Sequence, residues 1–120
     1  MLVLIVESDP SLAEVWKRHL ERMGASVCVA SSQDEAIDRI QHDEVDIIVL
    51  DLVVAEGSAI AIADYASYRK PMAKVIFVTN TTFFSDGSIF NHIPNACAFV
   101  ESQTPPDDLA AIVEHYGRAV

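Results

Sequence analysis

The sequence predicts an α/β fold: a doubly wound parallel sheet of five strands in the order 2-1-3-4-5, built as (βα)5. Three observations predict it. Short apolar runs rich in Val and Ile, such as residues 2 to 6 and 47 to 50, fit strands buried on both faces. Helix start signals alternate with those runs, and right-handed crossovers then favour a doubly wound sheet. The two leading runs also end on acid, Leu2-Val3-Leu4-Ile5-Val6 on Glu7-Ser8-Asp9 and Ile47-Ile48-Val49-Leu50 on Asp51. Ligand sites in such sheets lie beyond the carboxyl ends of the strands, so a cation or phosphoryl site is expected there.

Each element has its own signal. After the first strand, Asp9-Pro10 supplies a cap and a Pro at the first helical position. Leu12, Val15, Trp16, Leu20 and Met23 recur at helical spacing until Gly24 closes the helix. Residues 26 to 30 form a short strand. Ser32-Gln33-Asp34-Glu35 has the capping-box pattern, and Ala36, Ile37 and Ile40 mark the buried face of a second helix. The third strand covers residues 45 to 51. An Ala-rich helix runs from 58 to 69 and is ended by Pro71. Residues 74 to 79 are a buried strand, a short helix is placed around 88 to 92, and residues 96 to 100 are the last strand. Thr104-Pro105-Pro106-Asp107 starts a final helix carrying Leu109, Ile112, Val113 and Tyr116.

Composition bounds the function. A chain of 120 residues, 51% hydrophobic and 22% charged, makes one globular domain with a real core. Its net charge of −10 argues against direct nucleic-acid binding, which needs a concentrated basic face. No run approaches the roughly 20 apolar residues that span a bilayer, and no signal peptide is visible. Cys28 and Cys97 fall inside strands and read as buried free thiols, which fits a reducing cytoplasm.

The topology gathers Glu7, Ser8, Asp9, Asp51 and Thr79 at one edge. Asp9 is accounted for as a helix cap. Asp51 follows four apolar residues with no such local role, which favours a functional reading. Glu7 is a weaker case, since a strand-end acid can simply face water. The histidines at 19, 42, 92 and 115 lack metal-ligand spacing and read as helix-surface residues. Trp16 reads as core, and Phe83 and Phe84 lie beside the site, either packing it shut or facing a partner. No glycine-rich loop follows the first strand, and the segment after Asp51 lacks the second acid of an aspartate-nucleophile phosphatase, so no enzyme is expected.

In architecture and residues the chain resembles the receiver domain of two-component response regulators. The resemblance runs from Leu2 through the last helix and implies a flavodoxin-like fold and a single receiver-like domain over residues 1–120. It rests on the acids after the first strand, Asp51 after the third, Thr79 after the fourth, and the segment Asn95-Ala96-Cys97-Ala98-Phe99. It implies that Asp51 is the phosphoacceptor for a histidine kinase or phosphotransfer protein. It further implies that Thr79 and Phe99 are the switch residues, and that Glu7 and Asp51 hold Mg²⁺ weakly.

The departures from the family pattern are as informative. Ser8 replaces one of the two acids that hold Mg²⁺, Ser102 the lysine after the fifth strand, and Asn80 a small residue that gives the phosphoryl group access. Val54-Ala55 replaces a Met-Pro, and Gly57 arrives two residues early. No Lys or Arg occurs at any strand's carboxyl end, although phosphoryl transfer needs cationic groups on the equatorial oxygens. The expected function is therefore a signal-transduction domain with a degenerate phosphoacceptor site, acting through protein–protein contacts. The alternative is an ordinary phospho-switch at Asp51. A downstream partner, and a homodimer through the final helix, the strand before it and residues 80 to 95, are the expected contacts.

Overall fold

The computed structural model describes residues 1–54, 57–79 and 93–117. The elements are β1 (Leu2–Val6), α1 (Pro10–Arg22), β2 (Ser26–Ala30), α2 (Gln33–His42), β3 (Ile47–Asp51), α3 (Ala59–Arg69), β4 (Lys74–Thr79), β5 (Ala96–Glu101) and α4 (Pro106–Gly117). All strand pairs are parallel and the order is β2-β1-β3-β4-β5, as expected from the sequence. The short helix placed around 88 to 92, together with Asn80, Phe83, Phe84 and His92, lies outside the described residues.

Alternating side chains of the central strands feed two cores. Leu4, Val6, Ile48, Leu50, Val75 and Phe77 pack against α2 and α3 through Ile40, Ile62 and Ala66. On the other face Val3, Ile5, Ile47, Val49, Ile76 and Val78 meet Trp16 and Leu20 of α1 and Leu109 and Val113 of α4. Both faces of the sheet are therefore covered, which is why its strands read as continuous apolar runs.

Local chemistry sets the helix starts. The Asp9 carboxylate accepts hydrogen bonds from the Ser11 and Leu12 amides at 3.0 and 3.4 Å, capping α1. Ser32 Oγ takes the Glu35 amide at 3.3 Å, but the capping box is incomplete. The Glu35 carboxylate turns instead to the amide and hydroxyl of Ser31. At the start of α3, Ser58 Oγ accepts from the Ala61 amide, and the Ser58 amide itself donates to Gln33 Oε1 at 2.8 Å. Gly57, just before it, has φ +111°, and a Cβ there would meet the Gln33 side chain, so the loop after β3 is latched to α2 by a residue that must be glycine.

Some expectations are corrected. Strand β3 begins at Ile47 rather than Val45, because the Val45 amide is used in a turn with Asp43 while the Asp46 carboxylate takes the Leu2 amide. Val15 is 38% exposed and lies off the buried stripe of α1, which runs through Ala13, Trp16 and Leu20. Cys28 and Cys97 are free thiols but only half-buried. They sit on the two opposite edge strands, about 19 Å apart by strand spacing, far beyond disulfide reach. Burial raises the pKa of both thiols. Histidines 19, 42 and 115 lie on helices, the first two beside Asp107 and Asp38.

Candidate functional site

The carboxyl ends of β1, β3 and β4 are adjacent, and the parallel register sets their last residues side by side. Val6 pairs with Leu50, Asp51 with Val78, and Thr79 with Glu101, so Glu7, Asp51 and Thr79 follow one another across the sheet. Backbone bonds hold the strand ends together: the Glu7 amide donates to Ala30 O at 3.0 Å, Leu52 to Val78 O at 2.9 Å and Ser102 to Thr79 O at 2.6 Å. The last bond puts the half-buried Ser102 immediately beyond Thr79.

Glu7 and Asp51 differ in a way the sequence does not reveal. Glu7 is the buried one, 4% exposed, whereas Asp51 is half-buried and its Oδ1 accepts the Val53 amide at 2.9 Å. Glu7 Oε1 accepts the Asp9 amide at 3.0 Å, while Oε2 is buried and has no hydrogen-bond donor. Burial raises the Glu7 pKa to about 8, helped by hydrogen bonding to the Asp51 carboxyl and by the charges of Asp51 and Asp9, and opposed by the Asp9 amide. Glu7 is thus mostly protonated at neutral pH.

The other expected residues fall into place unevenly. Asp9 is at the edge but spent on the α1 cap. Ser8 is half-buried and brings no carboxylate. Thr79 is fully buried at the end of β4. Phe99 is 38% exposed on the edge strand β5, away from the carboxyl pair. Asn80 lies outside the described residues.

A divalent cation fits this donor set in part. Glu7 Oε2, which accepts from no donor, and the Asp51 carboxyl are oxygen ligands of the kind Mg²⁺ takes. Binding there requires Glu7 to lose its proton. Among the described residues no group of three or more His, Cys, Asp or Glu is arranged to hold a metal. Sequence reasoning named both carboxylates and missed the burial of Glu7, the Gln33–Ser58 latch and the burial of Asn95.

The fold has close structural parallels. The sequence matches the family model of the response regulator receiver domain over residues 3–113. The alkaline phosphatase synthesis transcriptional regulatory protein PhoP of Bacillus subtilis is 27% identical over 77 residues, which are 64% of this chain and 32% of that protein. The chain thus matches about a third of that relative's length. A response regulator receiver domain protein (CheY-like) from Methanospirillum hungatei JF-1 superposes with a TM-score of 0.89 at 22% identity, covering 98% of this chain and 94% of the other. The response regulator TrrA of Thermotoga maritima, in complex with Mg²⁺-BeF, gives 0.84 at 22% identity over 96% and 97% of the two chains. At those identities the structural likeness speaks for the fold.

Proposed function

The chain belongs to the response regulator receiver domain family, and from that premise we propose that it is a two-component signalling domain with a depleted phosphoacceptor site, acting through protein–protein contacts. The observation that carries the reading is the buried Glu7 carboxyl at the strand end beside Asp51, on an edge whose sequence holds no Lys or Arg. A phosphoryl group on Asp51 brings further negative charge to an edge whose sequence supplies no Lys or Arg to receive it. Ser102 stands where the family's lysine is expected, and Ser8 where a second metal-binding acid is expected.

The fit for Mg²⁺ is to Glu7 and Asp51. Bound there, the ion would neutralise developing charge on phosphoryl oxygens. The chain's own residues set the terms: Glu7 must release its proton, and Asp51 keeps one oxygen on the Val53 amide. The ordinary phospho-switch is the second reading. It is favoured by the half-buried, strand-end position of Asp51 next to Thr79, with Phe99 on β5 as the further switch residue. A histidine kinase or phosphotransfer protein would then be the donor. In either reading the domain works by binding in the cytoplasm and not by turnover of a substrate. A downstream protein or a second copy would meet α4, β5 and the segment before it. Among the described residues no helix is long and apolar enough to cross a membrane.

Intact mass after incubation with acetyl phosphate and Mg²⁺, beside an Asp51→Asn control, tests the proposal. The expected result is a folded protein without a stoichiometric phosphoryl adduct. An adduct that forms fully and is lost in Asp51→Asn overturns the depleted-site reading in favour of the phospho-switch.

A further inference from the structure

Asp51 is not oriented by its strand alone. Its Oδ1 accepts the Val53 amide at 2.9 Å, so the direction of the carboxylate depends on where the chain after β3 runs. That chain is anchored at both ends. Next to Asp51, the Leu52 amide donates to Val78 O at 2.9 Å. At the far end, the Ser58 amide donates to Gln33 Oε1 at 2.8 Å. Gly57, at φ +111°, lies so close against the Gln33 side chain that a Cβ would overlap it.

Three observations give this second anchor a role beyond its own bond. The helix that follows does not need it. Helix α3 is capped by Ser58 Oγ, which accepts the Ala61 amide at 3.2 Å, whereas the Ser58 amide lies ahead of the helix and has no partner within it. The bond to Gln33 therefore fixes the chain before α3 and not α3 itself. Gln33 is also held firmly. It opens α2 directly after the Ser32 cap, and the strand leading there ends on Ala30, whose carbonyl takes the Glu7 amide at 3.0 Å. The anchor is thus tied to the strand end that carries the other carboxyl. Finally, the link is short, since only residues 52 to 56 join Asp51 to Gly57. A link of that length has limited reach, so a shift at one anchor is passed to the other.

We propose that Gln33 is a positioning residue for Asp51. Through Gly57 and Ser58 it holds the chain whose Val53 amide orients the carboxylate. The proposal rests on Asp51 being the functional carboxylate of this edge, and it assigns the control of that carboxylate to the first residue of α2.

The test is NMR of the full chain at neutral pH, reading the Asp51 carboxyl ¹³C resonance and the solvent-exchange rates of the Val53 and Ser58 amides. Neither metal nor phosphodonor is added, so the outcome is separate from that of acetyl-phosphate labelling. Gln33→Met keeps the side-chain length without the acceptor, and Gln33→Asn keeps an acceptor one methylene too short. In both variants the two amides should exchange about tenfold faster, as loss of one hydrogen bond would produce, and the Asp51 resonance should move. Gln33→Glu retains an acceptor oxygen, and a carboxylate suits the first turn of a helix, so that variant should keep the wild-type rates and resonance. Faster exchange at Ser58 with Val53 and the Asp51 resonance unchanged would overturn the proposal and confine the bond to the start of α3. Unchanged exchange at Ser58, or a Gln33→Glu protein that behaves like Gln33→Met, would overturn it as well. Gln33→Asn carries the test if Gln33→Met does not fold.

Discussion

The two ends of the sheet handle acidic side chains in opposite ways. At the amino end each acid meets a donor: the Asp46 carboxylate takes the Leu2 amide at 2.8 Å, and Glu44 takes Lys70 Nζ at 2.9 Å. Arg69 and Lys74 stand nearby, so this end is rich in cations. At the carboxyl end acid meets acid, with Glu7 against Asp51 and Asp9 committed to a helix start. A proton on Glu7 does there what a cation does at the other end. Burial decides the matter, because a buried carboxyl without a counter-charge keeps its proton.

The largest break in that comparison comes from pH. Glu7 binds its proton more tightly in the folded chain, where the pKa is about 8, than in the unfolded chain, where a glutamate has its ordinary value of 4.5. The folded state therefore holds more protons between about pH 4.5 and 8, and stability falls as pH rises through that window. Urea denaturation should show a loss of about 2–4 kcal/mol from pH 5 to pH 8.5. Glu7→Gln, which keeps a donor for Asp51 without titrating, should flatten the profile. Asp51→Asn should lower the Glu7 pKa, since the hydrogen bond and charge from Asp51 both raise it; a carbon-detected titration of the Glu7 carboxyl reads this directly. An unchanged Glu7 pKa would show that Asp51 takes no part in holding the proton.

The comparison is sharpened by giving the carboxyl end a cation of its own. Ser102→Lys combined with Ser8→Asp should raise the rate of acetyl-phosphate labelling at Asp51 by about 10²–10³-fold, as electrostatic stabilisation of transferred charge does elsewhere. Intact-mass time courses in Mg²⁺ check it, and an unchanged rate would mean that the missing charges are not what limits the site.

Smaller effects follow at each end. Gly57→Ala should cost about 1–3 kcal/mol, because φ is +111° and the new methyl runs into Gln33. Thermal unfolding measures it, and the loss should persist at every pH. At the amino end Lys70→Ala should change stability by about 0–1 kcal/mol, since the Glu44 partner is almost fully exposed. A loss larger than that of Gly57→Ala would reverse the ranking of the two ends.

Much of this was legible in the residues. The Asp9-Pro10 start of α1, the Ser32 start of α2 and the doubly buried strands all follow from local chemistry, and the strand order follows from crossover handedness. Adjacency of Glu7, Asp51 and Thr79 followed from that order alone. The burial ranking within the pair did not, and Glu7 proves the more enclosed. Val15 shows the same limit on a helix: its spacing fits the apolar stripe, yet the contact face is set by where the sheet lies.

By itself, then, the sequence determined the periodicity of each element, the absence of Lys and Arg at the carboxyl ends, and the meeting of two acids there. Only the tertiary structure decided that Glu7 is buried and keeps its proton, that Gln33 latches the loop after β3, and that Asn95 Oδ1 is buried without a partner. Periodicity and caps depend on neighbours a few residues away, which a sequence displays. Burial, proton affinity and unsatisfied polar atoms depend on groups brought together from distant parts of the chain, and those distances exist only once the sheet has closed.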